Sequence, residues 1–446
     1  MLITDAALVD GRVRDVRIED ERIAAVERGL TPADDERVLP AEGRLLLPGA
    51  IDVHVHFREP GFSHKETWET GSRSAAAGGV TTVVDQPNTD PPTTTGEGFD
   101  AKATLTSASL VDYGINGGVT PDWEPDALFD RPIFALGEVF LADSTGEMGI
   151  DADRYAEAVE RASEAGVTVT VHAENADLFD ESAIESLDAD GDDDAPVPTG
   201  RSAPADVWSA YRTAEAEIDA IKRAVAVAAD HDVPVHVAHT STPEGVDAAV
   251  EGGATCEVTP HHLFLSRQDL SRLGTFGRMN PPLRSEERRA ALFERVVDGT
   301  VDMVATDHAP HTVEEKTRPL LEAPSGVPGV ETMLPLLLES VRQGRIELER
   351  VRDLVAATPA EVFDLPRKGK IEPGRDADMV LVDPDRPREI EAGALHSNAG
   401  WTPFEGLRGV FPELTMVRGT VVYTRDPETG AESFGPAVGE NVRTTE

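Results

Sequence analysis

Apolar residues in the central part of the chain recur as short runs, each followed by a loop and usually by a stretch with helical spacing. The helical period is clear in "DADRYAEAVERASEAG" (151–166) and "AEAEIDAIKRAVAVAADH" (214–231). Alternating strands and helices predict parallel strand pairing, and eight such units close into a (β/α)8 barrel. The eight predicted strands are residues 50–57, 81–86, 113–119, 133–141, 167–173, 233–239, 255–260 and 301–307.

The two ends of the chain show a different pattern. Short β-like runs separated by turns occur near the start, as in "LITDAALV" and "RLLLPG", and again near the end, as in "ADMVLVD" and "LTMVRGTVVYT". We therefore expect residues 1–49 and 361–446 to form one small β-sandwich beside a TIM-type barrel of residues 50–360, an α/β protein overall. The polar segment from about Asp426 onwards is expected to be a mobile tail.

The chain is strongly acidic, because 83 Asp and Glu residues against 41 Lys and Arg residues give a formal net charge of −42. Such a surface would repel nucleic acids and anionic membranes, so these partners are excluded. An acidic excess that is spread along the chain favours adaptation to high salt, where self-repulsion is screened. A protein that buffers cations or binds a basic partner would instead concentrate its acid in one tail. The densest acidic stretch, residues 188–196, is expected to be a surface loop.

Localisation signals are missing from the sequence. No apolar segment reaches the roughly eighteen residues of a membrane span, and no signal-peptide pattern opens the chain. Cys256 is the single cysteine, so no internal disulfide can form. These observations predict a soluble, cytoplasmic protein.

Histidines concentrate at the carboxyl ends of the predicted strands. His54 and His56 end the first strand and share one face of it, because side chains two residues apart point the same way. His172 ends the fifth strand, His239 the sixth, and Asp307 the eighth. Because barrel active sites lie at this end, the five side chains should converge on one site. Such ligands suit Zn²⁺ or a neighbouring divalent ion, and five of them suit two ions better than one tetrahedral ion.

Glu138 lies in the middle of the apolar run "IFALGEVFL" of the fourth predicted strand. Burial of an isolated carboxylate is unfavourable, whereas a nearby cation offsets that penalty. The fourth strand lies between the two groups of predicted ligands, where two ions would need a shared carboxylate. We therefore expect Glu138 to be a metal ligand.

The remaining histidines receive supporting or structural interpretations. His236 faces the opposite side of its strand from His239 and is expected to be structural. Three histidines near the predicted mouth either orient ligands or pack in the core: His261, His262 and His308. Three others are expected at the surface: His64, His231 and His396.

Several motifs closely resemble those of dihydroorotase, an enzyme of the amidohydrolase superfamily. They include "PGAIDVHVHFREPG" (48–61), "VHAEN" (171–175), "HVAHTST" (236–242), "MNPPLR" (279–284) and "ATDHAPHTVEEK" (305–316). The end segments "KGKIEPGRDADMVLVD" (368–383) and "NAGWTPFEGLRG" (398–409) also resemble that family's sandwich domain. The similarity therefore extends over nearly the whole chain.

The resemblance implies reversible cyclisation of N-carbamoyl-L-aspartate to L-dihydroorotate plus water, a step of de novo pyrimidine synthesis, by means of a metal-activated water. It implies that His54, His56 and Asp307 hold one Zn²⁺ ion and that His172 and His239 hold the other. Asp307 would also act as general acid and base.

The resemblance also implies a substrate site and partners. Arg58, Asn88 and His311 would bind the substrate carboxylate, in keeping with the bidentate pairing of arginine with carboxylates. Asn280 and the backbone of residues 324–329 would contact the ring. The protein would be a homo-oligomer, with association with aspartate transcarbamoylase as a further expectation.

One position departs from the family pattern. The strand-four ligand of dihydroorotases is usually a carboxylated lysine, whereas this chain has Glu138 and no lysine between Lys102 and Lys222. The glutamate carboxylate lies on a shorter side chain. Three interpretations stay open: Glu138 bridges two ions, only one ion binds, or the metal and the activity have been lost.

Other functions with this fold are alternatives. Allantoinase and hydantoinase share the fold and the metal site, but Arg58 and Asn280 within "FREPG" and "MNPPLR" favour dihydroorotase. A non-catalytic homologue that serves as a scaffold typically loses metal-binding histidines, and this chain keeps them.

Overall fold

The computed structural model describes residues 1–144, 148–189, 197–231 and 233–444. Most of the acidic stretch expected to be a surface loop, residues 190–196, lies outside these ranges. Among the described residues, no helix is long and apolar enough to cross a membrane.

The chain begins with a group of short strands that belong to an end domain. They are β1 (Leu2–Ala7), β2 (Val13–Glu19), β3 (Arg22–Glu27), β4 (Val38–Pro40) and β5 (Leu45–Pro48).

Eight parallel strands follow and form the barrel. They are β6 (Ala50–Val55), β7 (Val80–Asp85), β8 (Asp112–Ile115), β9 (Leu136–Phe140), β10 (Val169–His172), β11 (Val235–Val237), β12 (Thr255–Val258) and β13 (Met303–Val304). Strands β6 to β8 pair with one another, as do β9 to β13. The bridges Gly117–Leu136 and Val55–His308 join these two groups and close the barrel. Every strand predicted for the barrel is present; β7 has the predicted length and begins one residue earlier, and the other seven are shorter than the apolar runs suggested.

The last part of the chain returns to the end domain. Its strands are β14 (Met379–Val382), β15 (Arg388–Glu389), β16 (Arg408–Gly409), β17 (Pro412–Val417), β18 (Thr420–Arg425) and β19 (Glu432–Phe434).

Helices occupy most of the connections between strands. They are α1 (Trp68–Ala77), α2 (Gly96–Leu105), α3 (Pro125–Phe129), α4 (Ala152–Ala165), α5 (Glu181–Ala189), α6 (Asp206–Tyr211), α7 (Ala214–His231), α8 (Pro243–Glu251), α9 (Pro260–Phe264), α10 (Leu270–Leu273), α11 (Glu286–Val297), α12 (Val313–Lys316), α13 (Met333–Arg342), α14 (Leu348–Arg352) and α15 (Thr358–Val362). Helix α4 shows how the sequence sets the bounds. The Asp151 side chain accepts a hydrogen bond from the Arg154 amide at its start, and Gly166 ends it with φ of 65°.

The end domain contains one large hydrogen-bonded sheet built from both chain ends, and β15 and β16 pair with each other in a separate two-stranded sheet. The strand order of the large sheet is β19-β18-β17-β14-β5-β1-β2-β3, with β4 paired to β1. Strands β5 and β14 pair antiparallel, with Leu46 opposite Leu381, and so join the two ends. Both leucines belong to a separate core that includes Ile3, Met379 and Met416. The opposite face of these strands packs into the main barrel core. The domain bounds at residues 49/50 and 360/361 stay a prediction.

The expectation of a mobile tail from Asp426 was wrong. Strand β19 pairs with β18, the Gly439 amide donates to the Ser109 carbonyl, and the Val442 amide donates to Tyr113. Polar composition hid this attachment, because main-chain hydrogen bonds need no apolar side chains.

Candidate metal centre and substrate cavity

The six predicted metal ligands lie at the carboxyl ends of five barrel strands. His54 belongs to β6 and His56 follows it, Glu138 lies within β9, and His172 ends β10. His239 and Asp307 lie two and three residues beyond β11 and β13. All six side chains are buried: His54, His56, Glu138, His172, His239 and Asp307.

Two of these ligands, and one residue beside the cluster, have a positive backbone φ angle. Asp307 and His239 have φ of 44° and 32°, and Arg58 beside the cluster has φ of 67°. Residues with side chains rarely occupy this left-handed region, and they do so most often at functional sites. Strand β13 ends at Val304, three residues before the predicted bound at residue 307.

One group of ligands surrounds His56. Its Nε2 atom lies 2.9 Å from Oδ1 of Asp307, and Nε2 of His54 lies 3.6 Å from the same oxygen. Ligand atoms of the three residues all lie within 4.8 Å of one another, a spacing that suits a single cation.

A second group surrounds Glu138. Its Oε1 atom lies 2.6 Å from Nε2 of His239 and 3.0 Å from Nδ1 of His172, and these two nitrogens are 2.9 Å apart. Its other oxygen lies 3.4 Å from Nε2 of His54. Glu138 therefore lies between the first group and the two histidines of the second.

The donor set fits divalent cations. Nε2 of His54 is buried and has no hydrogen-bond partner in the described parts of the chain, although two carboxylates surround it. A buried nitrogen of this kind is expected where a lone pair binds a metal. Imidazole and carboxylate ligands are those that zinc and its neighbours prefer.

The cluster keeps its carboxylates ionised. Burial disfavours the charge of Glu138, but the nearby imidazoles of His54 and His239 lower its pKa well below the usual value. Burial also opposes ionisation of Asp307, yet its contact with His56 and the nearby imidazole of His54 lower its pKa. Burial would lower the pKa of His172, whereas hydrogen bonds with Glu138 and Glu174 raise it to about 9.

Two buried carboxylates behind the ligands were missed in the sequence. Oε1 of Glu257 lies 2.6 Å from Nδ1 of His54, and Oε2 of Glu174 lies 2.9 Å from Nε2 of His172. Carboxylates in this place set the tautomer of a metal-binding imidazole. Glu257 could have been found, because it interrupts the apolar run "TCEV" as Glu138 interrupts its own strand.

A small cavity lies next to the cluster. Its lining includes eight of the ten predicted site residues and adds two apolar side chains, Phe140 and Ala309. The eight are His56, Arg58, Asn88, Glu138, His172, His239, Asn280 and Asp307.

Arg58 brings a positive charge to this cavity. It is 4% exposed, and burial lowers its pKa only to about 10, so it stays protonated at neutral pH. Asn88 lies on the same wall, where its Oδ1 is 2.7 Å from Nδ1 of His56. An anion in the cavity would thus meet a guanidinium and an amide close to the metal ligands.

His311 is not among the described residues that line this cavity. It is fully buried behind Arg58, with Nε2 2.8 Å from the Ser325 carbonyl oxygen. Nδ1 lies 3.3 Å from Nζ of Lys65, and burial with the charge of Arg58 lowers the pKa of His311 well below its usual value. His311 therefore contacts the walls of the cavity, and direct contact with a ligand stays a prediction.

The other histidines divide between support and packing. Nε2 of His236 lies 3.1 Å from Glu257, so it supports the ligand layer. His308 accepts a hydrogen bond from the Gly329 amide, and Nε2 of His262 lies 3.0 Å from the Pro281 carbonyl. His396 is partly buried, and its ring lies between the carboxylates of Glu331 and Glu432.

Comparison with known proteins identifies the family. Residues 43–190 match the family described as Dihydro-orotase-like, and residues 203–422 match the amidohydrolase family. The dihydroorotase of Halobacterium salinarum is 60% identical over 444 residues, which cover 99% of each chain. The chain belongs to the dihydroorotase family. The dihydroorotase of Methanosarcina acetivorans is 44% identical over 430 residues, 93% of this chain and 89% of that protein.

Solved structures share the architecture of this dihydroorotase-family member. The L-hydantoinase (dihydropyrimidinase) of Arthrobacter aurescens has a TM-score of 0.89 at 29% identity, over 98% of each chain. The dihydropyrimidinase of Brevibacillus agri has a TM-score of 0.86 at 28% identity, over 99% of this chain and 98% of that one. These findings confirm the predicted family and the barrel with a β-sandwich.

Proposed function

We propose that the protein is a dihydroorotase that interconverts N-carbamoyl-L-aspartate and L-dihydroorotate in pyrimidine synthesis. The observation that carries this proposal is the position of Arg58 on the wall of a small cavity that also contains five of the metal-ligand candidates. The guanidinium of Arg58 suits the carboxylate of a small substrate beside these ligands.

The metal centre is proposed to hold two Zn²⁺ ions. His54, His56 and Asp307 would hold one ion, His172 and His239 the other, with Glu138 between them. When bound, such ions polarise a carbonyl group and acidify water. Support comes from the donor set and from the buried, unpartnered Nε2 of His54. A single ion is the alternative if Glu138 reaches only one group.

Arg58 and Asn88 are proposed to orient the substrate through its carboxylate. Asn88 accepts from Nδ1 of His56 through Oδ1, which leaves its NH₂ group as a donor. Two donors on one wall would hold the carboxylate and thus place the ring carbonyl beside the ligand cluster. Such orientation raises the reaction rate, because substrate-binding energy holds the reacting groups in the geometry that the reaction needs.

Asp307 is proposed to move the proton. Its carboxylate is buried and ionised, and Oδ1 lies 2.9 Å from Nε2 of His56. Because the carboxylate is ionised, it can accept a proton without a change in its position. In the hydrolytic direction, water oxygen bonds to the ring carbonyl carbon and the carbon–nitrogen bond breaks. Asp307 takes the proton from the water and delivers it to the leaving nitrogen.

The setting of this activity is also part of the proposal. We propose that the protein works in a cytoplasm of high salt. The net charge of −42 supports this proposal, as does the similarity to a protein of Halobacterium salinarum. We further propose a homo-oligomer, and association with aspartate transcarbamoylase.

The test is turnover by purified protein at high salt. L-dihydroorotate, allantoin, hydantoin and dihydrouracil are offered separately, and metal content is measured on the same sample. We expect hydrolysis of L-dihydroorotate and about two ions per subunit. Preference for hydantoin or dihydrouracil would instead favour the function of the structural neighbours, and a metal-loaded protein inert towards all four would indicate a scaffold.

A further inference from the structure

Trp208 lies outside the ligand cluster but touches one of the residues that line the cavity. It belongs to α6 and is 7% exposed. Its indole Nε1 lies 2.9 Å from Oδ1 of Asn280 and 3.3 Å from the Met279 carbonyl oxygen. The guanidinium of Arg278 stacks 3.8 Å above the indole ring and holds it in place.

This contact decides which way the Asn280 amide points. An indole nitrogen can only donate a hydrogen bond, so the atom that faces it must be the amide oxygen of Asn280. The NH₂ group therefore points the other way, where it donates to Oγ of Ser144 at 3.2 Å. Asn280 and Ser144 both line the cavity, and the second amide hydrogen has no partner within the described ranges.

The orientation matters because a cyclic ureide carries carbonyl oxygens and N–H groups at neighbouring ring positions. An NH₂ group recognises the carbonyl oxygen, whereas a reversed amide would recognise a ring N–H. A site with a fixed donor therefore binds the ring in one register and disfavours others.

We propose that Trp208 is a positioning residue that fixes Asn280 as a hydrogen-bond donor to a carbonyl oxygen of the bound ring. Trp208 does not itself line the described cavity and acts only through Asn280. The inference rests on the proposed function, since it assigns the ring contact of that same substrate.

Trp208→Phe removes the donor and keeps an aromatic ring beneath Arg278. We expect the KM for L-dihydroorotate to rise by roughly three- to tenfold, the effect of one hydrogen bond, with kcat nearly unchanged. Asn280→Ala should raise KM at least as much. In the Asn280→Ala background, Trp208→Phe should have no further effect on KM.

Two further variants separate this role from a structural one. Asn280→Asp keeps an oxygen for Trp208 but replaces the donor, so KM should rise as in Asn280→Ala. Trp123→Phe changes another buried tryptophan, which is 6% exposed and absent from the described cavity lining, and should leave KM unchanged. Metal content and melting temperature are measured for each variant.

Several outcomes would overturn the proposal. An unchanged KM in Trp208→Phe or in Asn280→Asp would do so. So would a Trp208→Phe effect that persists in full without the Asn280 amide, because the tryptophan would then act through packing. Wild-type protein that neither binds nor hydrolyses L-dihydroorotate would overturn the proposed function and this inference together, whereas normal wild-type turnover with an unchanged variant overturns the inference alone.

Discussion

Glu257 joins two histidines, with Oε1 2.6 Å from Nδ1 of His54 and Oε2 3.1 Å from Nε2 of His236. The carboxylate holds a proton on Nδ1 of His54, and the other nitrogen of that ring is thereby left to face Glu138 and Asp307. A ring nitrogen of His54 lies within 4.8 Å of ligand atoms of His56 and Asp307, and also of Glu138 and His239. Its orientation therefore matters to both ions.

Weakening this contact should weaken metal binding. We expect Glu257→Gln to lower affinity for Zn²⁺ by roughly 10- to 100-fold, the usual effect of losing such a carboxylate. Competition with a chromogenic chelator measures the affinity without reference to activity. Glu339→Gln, a buried carboxylate on α13 that pairs with Arg342, is the matched control. Equal affinities in the two variants would contradict the role of Glu257.

Glu138 should determine how many ions are bound. Glu138→Gln keeps the shape of the side chain but removes its charge, so bridging should fail and the ion count should fall from about two to one or fewer. Elemental analysis of dialysed protein gives the count. Wild-type activity should also be independent of added bicarbonate, because no lysine needs to be carboxylated. Two ions retained in Glu138→Gln would show that the glutamate is not the bridge.

Arg58 should control substrate affinity. Arg58→Met removes a charge-assisted pair, which typically contributes about 1.5–3 kcal/mol, so KM should rise by about 10- to 150-fold. Arg288→Met changes a partly buried arginine on α11 that pairs with Glu244, and it serves as control. Steady-state kinetics with L-dihydroorotate would detect the difference. A KM that is equally insensitive to both substitutions would place the carboxylate elsewhere.

The His396 ring connects the barrel side with the end domain. Its Nδ1 lies 2.9 Å from Glu331 and its Nε2 3.1 Å from Glu432 of β19, and Tyr423 also donates to Glu432. Burial acts to lower the pKa of His396, but the two carboxylates raise it to about 9 from the ordinary 6.5. The imidazolium therefore stabilises the fold fully below pH 6.5, and this contribution is lost as the pH rises towards 9.

Comparison with His396→Gln isolates this contribution. Wild type should be more stable than the variant at pH 6.5, and the difference should shrink by pH 9.5 as the imidazolium loses its proton. Denaturant melts at constant high salt report both values. A stability difference that does not change between the two pH values would rule out the charged pair.

The barrel was predictable because its strands are buried on both faces and read as apolar runs. The same logic located Glu138, since a lone carboxylate in such a run requires a compensating partner. It applies equally to Glu257, a lone carboxylate in the buried run "TCEV" of β12. The histidines of the cluster were predictable because barrel topology brings distant strand ends together.

Other features could not be read from local pattern. The place of His396 depends on Glu331 and Glu432, which approach only through tertiary packing. In the sequence, His311 lies just before α12 and far from Arg58. Their contact, 3.2 Å between Nε2 of His311 and the Arg58 guanidinium, forms only when the chain folds. The Trp208–Asn280 contact likewise joins residues whose separation in sequence carries no periodic signal.

The antiparallel pair of β5 and β14 sets an order of events during synthesis. Strand β5 ends at Pro48, and its partner begins only at Met379, after the whole barrel has left the ribosome. Strands β1 to β5 can pair with one another before then, but the edge of β5 that receives β14 stays unpaired until translation is nearly complete. The barrel can assemble earlier from contacts between successive units. The amino-terminal segment therefore carries an open strand edge through most of synthesis, a feature that favours association with other nascent chains.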